Sequence, residues 1–394
     1  MKKEKVYKMR VLFVHDGPLF YDKNGKYYEF AYHNLLERYQ MLGSNVSFMM
    51  RTNKLSKDRK YTQVPNEIEV ISIPNFKSIS SLKNLKKAKR IIKENILNND
   101  IIVFRLPSEI CQLGIKYAKK YNKPYIIECV GCAWDSYWNH SLLGKIYAPY
   151  SYIKMKKVIM KADYVYYVTD KFLQKRYPTK GNTVSCSNVV LNNYDENILD
   201  YRKKINKKIK EGKSPIFLGT AAAIDVKYKG QQYVIKAISE LNKQGYNFNY
   251  KLAGGYTSQN GNDYLKKIAK KYNVEDKIIF MGSLNKNEMD EFYNNIDFYI
   301  QPSKQEGLPR AMIEAMNHAC PCIGSNIAGI PELIQEDYLF KPGNVDDIKN
   351  KIEKIYNSNL DVICKNNFDN SKKYLKAKLD KKRKDFYEEF LKNI

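Results

Sequence analysis

Residues Phe298–Ile334 read FYIQPSKQEGLPRAMIEAMNHACPCIGSNIAGIPELI, and their pattern decides the fold class. A short apolar strand, Phe298 to Ile300, breaks at Pro302 and gives way to a polar loop, Ser303 to Gly307. Pro309 is expected at the first helical position, where its fixed φ fits and its missing N–H costs nothing. Ala311, Met312, Ala315, Met316 and Ala319 then form one small apolar helix face, which Pro321 ends. A second strand, Cys322 to Ser325, leads to the turn Ala328-Gly329-Ile330-Pro331 and a further helix start carrying Glu332. Strand, loop, helix, strand is a βαβ unit, which implies a parallel sheet. Ligands of such sheets sit at the carboxyl ends of the strands, and that is where this loop falls. Two carboxylates stand out there, Glu306 in the loop and Glu314 in the helix. On residue type alone, each serves equally as a surface or dipole-complementing helix residue or as an acceptor for ligand hydroxyls.

The grouping Pro302-Ser303, Glu306-Gly307, Pro309, Glu314-Ala315-Met316, Gly329 and Pro331-Glu332 resembles the nucleotide-sugar site of retaining glycosyltransferases of family 4, which have the GT-B architecture. The resemblance is strongest over Gly219 to Lys341 and extends more weakly across the chain. It implies an α/β fold of two doubly wound parallel-sheet (Rossmann-like) domains facing an interdomain cleft. By the same resemblance Glu314 binds the ribose hydroxyls and Glu306 the sugar hydroxyls. The Gly307 and Leu308 backbone N–H groups then meet the phosphate or sugar.

The family also carries a glycine, an arginine and a Lys-Gly pair ahead of a helix, the two cations holding the diphosphate. Gly219 and Lys229-Gly230 match, but Thr220 stands at the arginine position. Lys227 is the candidate second cation, with a helix N-terminus as the alternative source of positive potential. The Gly-Gly exit turn of the strand Tyr250–Gly255 places Gly254 in the donor set, and Ser283-Leu284 are expected to present backbone to the base. No Asp-x-Asp motif stands at a strand end, so neither a metal nor a further cofactor is expected.

At 394 residues the chain fits two domains. The expected division is 1–200, an acceptor-binding domain, and 201–374, a nucleotide-sugar domain, with a helix over about 375–394 returning to the first. The lysine-rich stretch Asp195–Ser214 is taken as the connection, with some helix in it. No apolar run approaches the length of a membrane-spanning helix. Seven scattered cysteines, and Cys129-x-x-Cys132 without a second pair, indicate reduced thiols and a cytoplasmic setting.

Sixty-eight Lys+Arg against forty-two Asp+Glu give a net charge of +26. That field attracts polyanions or an anionic membrane surface. No nucleic-acid-binding signature accompanies it. Abundant Asn, Ile and Tyr beside the lysines also fit a plain compositional bias. Lys83–Lys93 and Ile153–Lys161 read as basic amphipathic helices, and so suggest a peripheral position at the inner face of the cell membrane.

In the first half, Met9–His15 is an expected strand, Asp16–Gly25 its exit loop and Tyr28–Leu42 a helix. Gly25 is the match to the family's cleft-facing glycine, with Tyr27 beside it as a possible acceptor contact. The stretch CVGCAWDSYWNHS, read as a loop, holds both tryptophans, Trp134 and Trp138, beside Asp135 and His140. Aromatic faces next to polar groups suit a sugar; a loop pinned by its tryptophans is the alternative. The loop resembles that of bacterial capsule and exopolysaccharide glycosyltransferases, which implies Asp135 as a group at the reacting sugar with His140 behind it.

The expected activity is transfer, with retention, of a hexose-type sugar from a UDP- or GDP-linked donor to a lipid-linked glycan acceptor, with Glu306, Asp135 and Lys229 at the reaction centre. A nucleotide-sugar epimerase shares the architecture, but four histidines offer few acid–base groups. A basic nucleic-acid-binding protein is the third class.

Overall fold

The computed structural model describes residues 8–29, 35–55, 61–76, 79–139, 141–212, 215–257 and 263–394. The chain divides into two compact units, Met1–Cys186 with Lys381–Ile394, and Ser187–Asp380. The boundary thus falls earlier than residue 200.

The first unit contains β1 (Arg10–Tyr21), β2 (Tyr27–Glu29), α1 (Leu35–Gln40), β3 (Asn45–Lys54), β4 (Thr62–Gln63) and β5 (Glu69–Ser72). There follow α2 (Leu85–Asn98), β6 (Ile101–Leu106), α3 (Glu109–Lys120), β7 (Tyr125–Cys129), α4 (Ala133–Trp138), α5 (Leu142–Met160), β8 (Tyr164–Tyr167), α6 (Phe172–Arg176) and β9 (Asn182–Ser185). The parallel strands run β5-β3-β1-β6-β7-β8-β9, and the short β2 and β4 add antiparallel pairs beyond β1. The order reverses between β1 and β6, the switch point of a doubly wound sheet. Val11–Val14 and Ile101–Phe104 are fully buried, as strands covered on both faces must be.

Two expectations are corrected here. The Asp16–Gly25 loop is largely strand: after a register shift between His15 and Pro18, β1 continues to Tyr21 alongside β3. Buried Leu19 and Phe20 drive that continuation. Gly25 therefore lies in a hairpin turn, at φ +75°, and not in a strand-to-helix connection. The Asp22 carboxylate closes this turn on the Asn24 and Lys26 N–H groups. Tyr27 pairs with Tyr21 across the hairpin, so the expected helix Tyr28–Leu42 is reduced to α1, with 30–34 outside the described residues.

The second unit contains α7 (Asn197–Lys210), β10 (Ile216–Ala221), α8 (Gln231–Lys243), β11 (Phe248–Ala253), α9 (Tyr264–Lys271), β12 (Ile278–Gly282) and α10 (Lys286–Asn294). Then come β13 (Phe298–Gln301), α11 (Arg310–Asn317), β14 (Cys322–Ser325), β15 (Leu339–Phe340), α12 (Val345–Tyr356) and α13 (Leu360–Ser371), while α14 (Lys376–Lys392) starts in this unit and belongs to the first from Lys381 on. All six strands are parallel, ordered β12-β11-β10-β13-β14-β15. Here the switch point lies between β10 and β13. Pro309 is the N-cap of α11 and not its first helical residue, with ψ 113° in the extended region.

The lysine-rich stretch after Asp195, expected as a partly helical connection, lies within the second unit. It forms α7, and Arg202 on it is fully buried. Its guanidinium donates to the carbonyls of His318 at 2.9 Å, Ile296 at 2.7 Å and Tyr293, and to the Cys320 thiol. One rigid fork thus ties α7 to the ends of α10 and α11. At the other end of the chain, α14 brings Arg383 to the Tyr166 hydroxyl at 3.2 Å, while Phe390 packs edge-on to Tyr164.

Arg202→Ala should cost at least about 3 kcal/mol, since several buried carbonyls lose their donor at once. A urea melt followed by far-ultraviolet circular dichroism checks this, and Arg202→Lys should recover little of the loss.

Candidate functional site

The residues singled out in the second unit gather at its switch point. β10 and β13 are adjacent, and the loops leaving them, 222–230 and 302–309, are laced together by the Lys304 N–H donating to the Tyr228 carbonyl at 2.7 Å. Gly230 makes this possible. Its φ is +81°, and a Cβ there would collide with the Pro302 carbonyl. Beside it, the Lys229 ammonium donates to Glu306 Oε1 at 2.7 Å, with both side chains mostly buried.

Glu306 is held from below. Gln301 Nε2 at 3.1 Å and Ser303 Oγ at 2.7 Å also donate to Oε1. Tyr299 OH fixes the Gln301 amide by donating to its Oε1 at 2.7 Å, and Ser325 Oγ donates to the Ser303 carbonyl at 2.6 Å. Three donors therefore converge on one carboxylate oxygen. Among the described residues none donates to Oε2, which leaves that oxygen for a ligand. Ser303 belongs to the motif read from the sequence, whereas Gln301 and Ser325 were not singled out there. The available signal was a polar residue closing each apolar strand, FYIQ and CIGS.

Glu314 lies further along α11. Its Oε2 accepts from Tyr293 OH at 2.8 Å. Burial raises its pKa above the ordinary glutamate value, against the lowering effects of Tyr293 and Arg310. Gly307 is tied to the next loop, its carbonyl accepting the Gly329 N–H at 2.9 Å. Gly254, at φ +148°, lies against the Ala222 carbonyl, where a side chain would clash. Its neighbour Gly255 abuts Ser283. Lys227 is exposed, and its carbonyl accepts from Gln232 at 2.9 Å. Leu308 and Leu284 pack on the apolar core with their side chains, so only backbone is offered at those positions.

Gly219 is placed differently from expectation. It lies within β10, and a Cβ there would come within 2.7 Å of Ile296 and 2.8 Å of Phe292. Its size serves strand-to-helix packing. Thr220 is fully buried, donating to the Ile300 carbonyl at 2.6 Å and accepting from Tyr250 OH at 2.6 Å. This position locks the sheet and has no room for the long cation that the family pattern places there.

The matching family model is described as glycosyl transferases group 1 and covers residues 201–373. Protein CapJ of Staphylococcus aureus is 34% identical over 364 residues, 89% of this chain and 86% of its own. The chain belongs to the group 1 glycosyl transferases. Among solved structures, a sucrose-phosphate synthase from Thermosynechococcus elongatus superposes with a TM-score of 0.70 at 15% identity, covering 98% of this chain and all of that one. Anabaena HepE, described as in complex with UDP-glucose, gives 0.65 at 14% identity over 98% of this chain and 100% of its own. These likenesses show the GT-B fold.

In this glycosyl transferase the first-unit candidates form a separate group. Trp134, Asp135 and Trp138 lie on the helix α4, where a loop was expected. The two indoles stack with centroids 5.1 Å apart, and Asp135 faces Arg176 at 3.9 Å. Trp–Trp stacking at i, i+4 and a Ser136 hydroxyl bonded to the Cys132 carbonyl stabilise the helical turn. His140 lies outside the described residues. Cys129 and Cys132 are buried free thiols whose pKa values burial raises. At the switch point of this sheet stand two acids missed from sequence. Asp16 accepts the Glu109 and Ile110 N–H groups at the start of α3. Glu109 accepts from Tyr147 at 3.1 Å and Lys154 at 2.9 Å.

Because Glu314 has its pKa raised on folding, the unfolded state ionises first as pH rises, and folding is penalised above that window. Glu314→Gln should therefore raise the melting temperature near pH 7.5, with the gain vanishing near pH 4. Differential scanning calorimetry across pH reads this directly.

Proposed function

We propose that this protein transfers a hexose-type sugar, with retention, from a nucleotide diphosphate sugar to a glycan acceptor. The observation that carries the reading is the Lys229–Glu306 pair at the switch point, with Glu306 Oε2 open. The donor is activated already, so the protein needs only to hold it and to stabilise the departing diphosphate. Lys229 supplies a positive charge for that diphosphate, aided by the N-terminus of α8, which begins at the next turn. Glu306 accepts from sugar hydroxyls through Oε2, Glu314 from the ribose, and backbone at Gly307, Leu308 and Ser283 completes the donor set. No metal or cofactor is assigned a part.

In the step itself the bond between the sugar C1 and the diphosphate oxygen breaks. The acceptor oxygen bonds to C1 from the same face, and its proton passes to the leaving phosphate. A UDP- or GDP-linked donor fits the reading, and HepE, described with UDP-glucose, supports the former. A likeness over 33% of this chain to a putative colanic acid biosynthesis glycosyltransferase of Escherichia coli supports an acceptor in surface polysaccharide synthesis. A lipid-linked acceptor at the inner face of the membrane accords with the net charge of +26. No helix among the described residues is long and apolar enough to cross a membrane.

Glu306→Gln and Lys229→Ala should each lower turnover by about 10²- to 10³-fold, while circular dichroism stays unchanged. Release of nucleoside diphosphate from a panel of UDP- and GDP-sugars, with and without EDTA, measures it. Near-normal turnover in either variant would remove the assignment, and a loss with EDTA would remove metal independence.

A further inference from the structure

Helix α5, Leu142–Met160, is apolar on both sides. Its inner face, Gly144, Ala148, Ser151, Met155 and Ile159, is buried against the first unit. Its outer face is as apolar as its inner one. Leu142, Leu143 and Ile146 are 79%, 78% and 77% exposed, and Tyr150, Ile153 and Met160 continue the exposed stripe. At 3.6 residues per turn these six positions fall within about 100° of arc. A helix apolar all round belongs in a core or against another apolar phase. Here only the inner half has found one.

The charge on the helix says what covers the rest. Its charged residues are Lys145, Lys154, Lys156 and Lys157; it holds no Asp or Glu, and Lys161 follows at its end. Lys154 turns inward to Glu109, while Lys145 stays exposed beside the stripe and Lys157 stays exposed within its arc, one turn from the C-terminal end of the helix. A second copy of the chain would set lysine against lysine in a protein already at +26. An anionic lipid surface offers both phases at once, hydrocarbon for the leucines and headgroup phosphates for the ammonium groups that snorkel beside them.

The apolar surface also continues off the helix. Leu143 and Gly144 share a cavity of about 470 Å³ with Phe76, Leu82 and Leu85, and Leu82 at its rim is exposed too. Glu109, Tyr137 and Tyr147 give the same cavity its polar groups.

We propose that the outer face of α5 is a membrane-docking surface, inserting Leu142, Leu143 and Ile146 shallowly into an anionic bilayer. Docking is apolar insertion guided by charge, and so differs from adsorption through the basic runs alone. It deepens the lipid-linked acceptor reading, but its test needs neither donor nor acceptor, so the two can fail separately.

The test is flotation of the full-length protein with vesicles of 30% phosphatidylglycerol in phosphatidylcholine, in parallel with pure phosphatidylcholine vesicles. Wild type should float with the anionic vesicles and remain partly bound after a high-salt wash. The triple variant Leu142→Ser, Leu143→Ser, Ile146→Ser should lose binding by about tenfold or more. Its melting temperature should be unchanged, because the replaced side chains are exposed. Undiminished flotation of the triple variant would overturn the proposal. So would a wild-type dimer in solution that the same substitutions convert to a monomer.

Discussion

Lys229 and Glu306 meet at 2.7 Å because the strand order of the second unit reverses between β10 and β13. Neither residue could reach the other if those strands were not neighbours. The reversal opens a crevice at the carboxyl edge, and the two loops that border it deliver one cation and one anion. Much of the local structure serves that meeting. Gly230 admits the close approach of the loops, Gln301 and Ser303 hold the carboxylate, and Ser325 holds Ser303. A charge pair so largely removed from water is costly unless every partner is in place, which explains why polar residues end otherwise apolar strands.

Glu306 neutralises Lys229 while one of its own oxygens stays open. A diphosphate would offer Lys229 a stronger partner, and Glu306 would turn to hydroxyl groups while keeping Gln301 and Ser303. Glu314 shows the opposite economy: it is buried with one hydroxyl partner and its pKa is raised, a local cost to folding. Groups held at such a cost gather at working sites.

The second unit was largely legible in the sequence, because βαβ periodicity and the short motifs around Lys229-Gly230 and around Glu306 and Glu314 are each local signals. What was not legible came from long-range packing. Gly219 matches a family glycine by position, yet its smallness answers to Ile296 and Phe292, far along the chain. Arg202 looks like one more basic residue in a lysine-rich run, and only the carbonyls of α10 and α11 show it to be a buried clamp. In the first unit, Gly17-Pro18 read as a loop because turn chemistry is local. The register shift that lets β1 run on to Tyr21 depends on β3. The stretch from Ala133 to Trp138 was read by composition as a loop, whereas stacking of Trp134 on Trp138 favours a helical turn.

The central claim is that Lys229, at the switch point, holds the donor's diphosphate. Thermal shift with a panel of UDP, GDP and ADP on wild type and on Lys229→Met tests it most directly, since a ligand bound only by the folded state raises the melting temperature. One of these nucleotides should raise the wild-type melting temperature and have little effect on Lys229→Met. A shift of equal size in both proteins would contradict it.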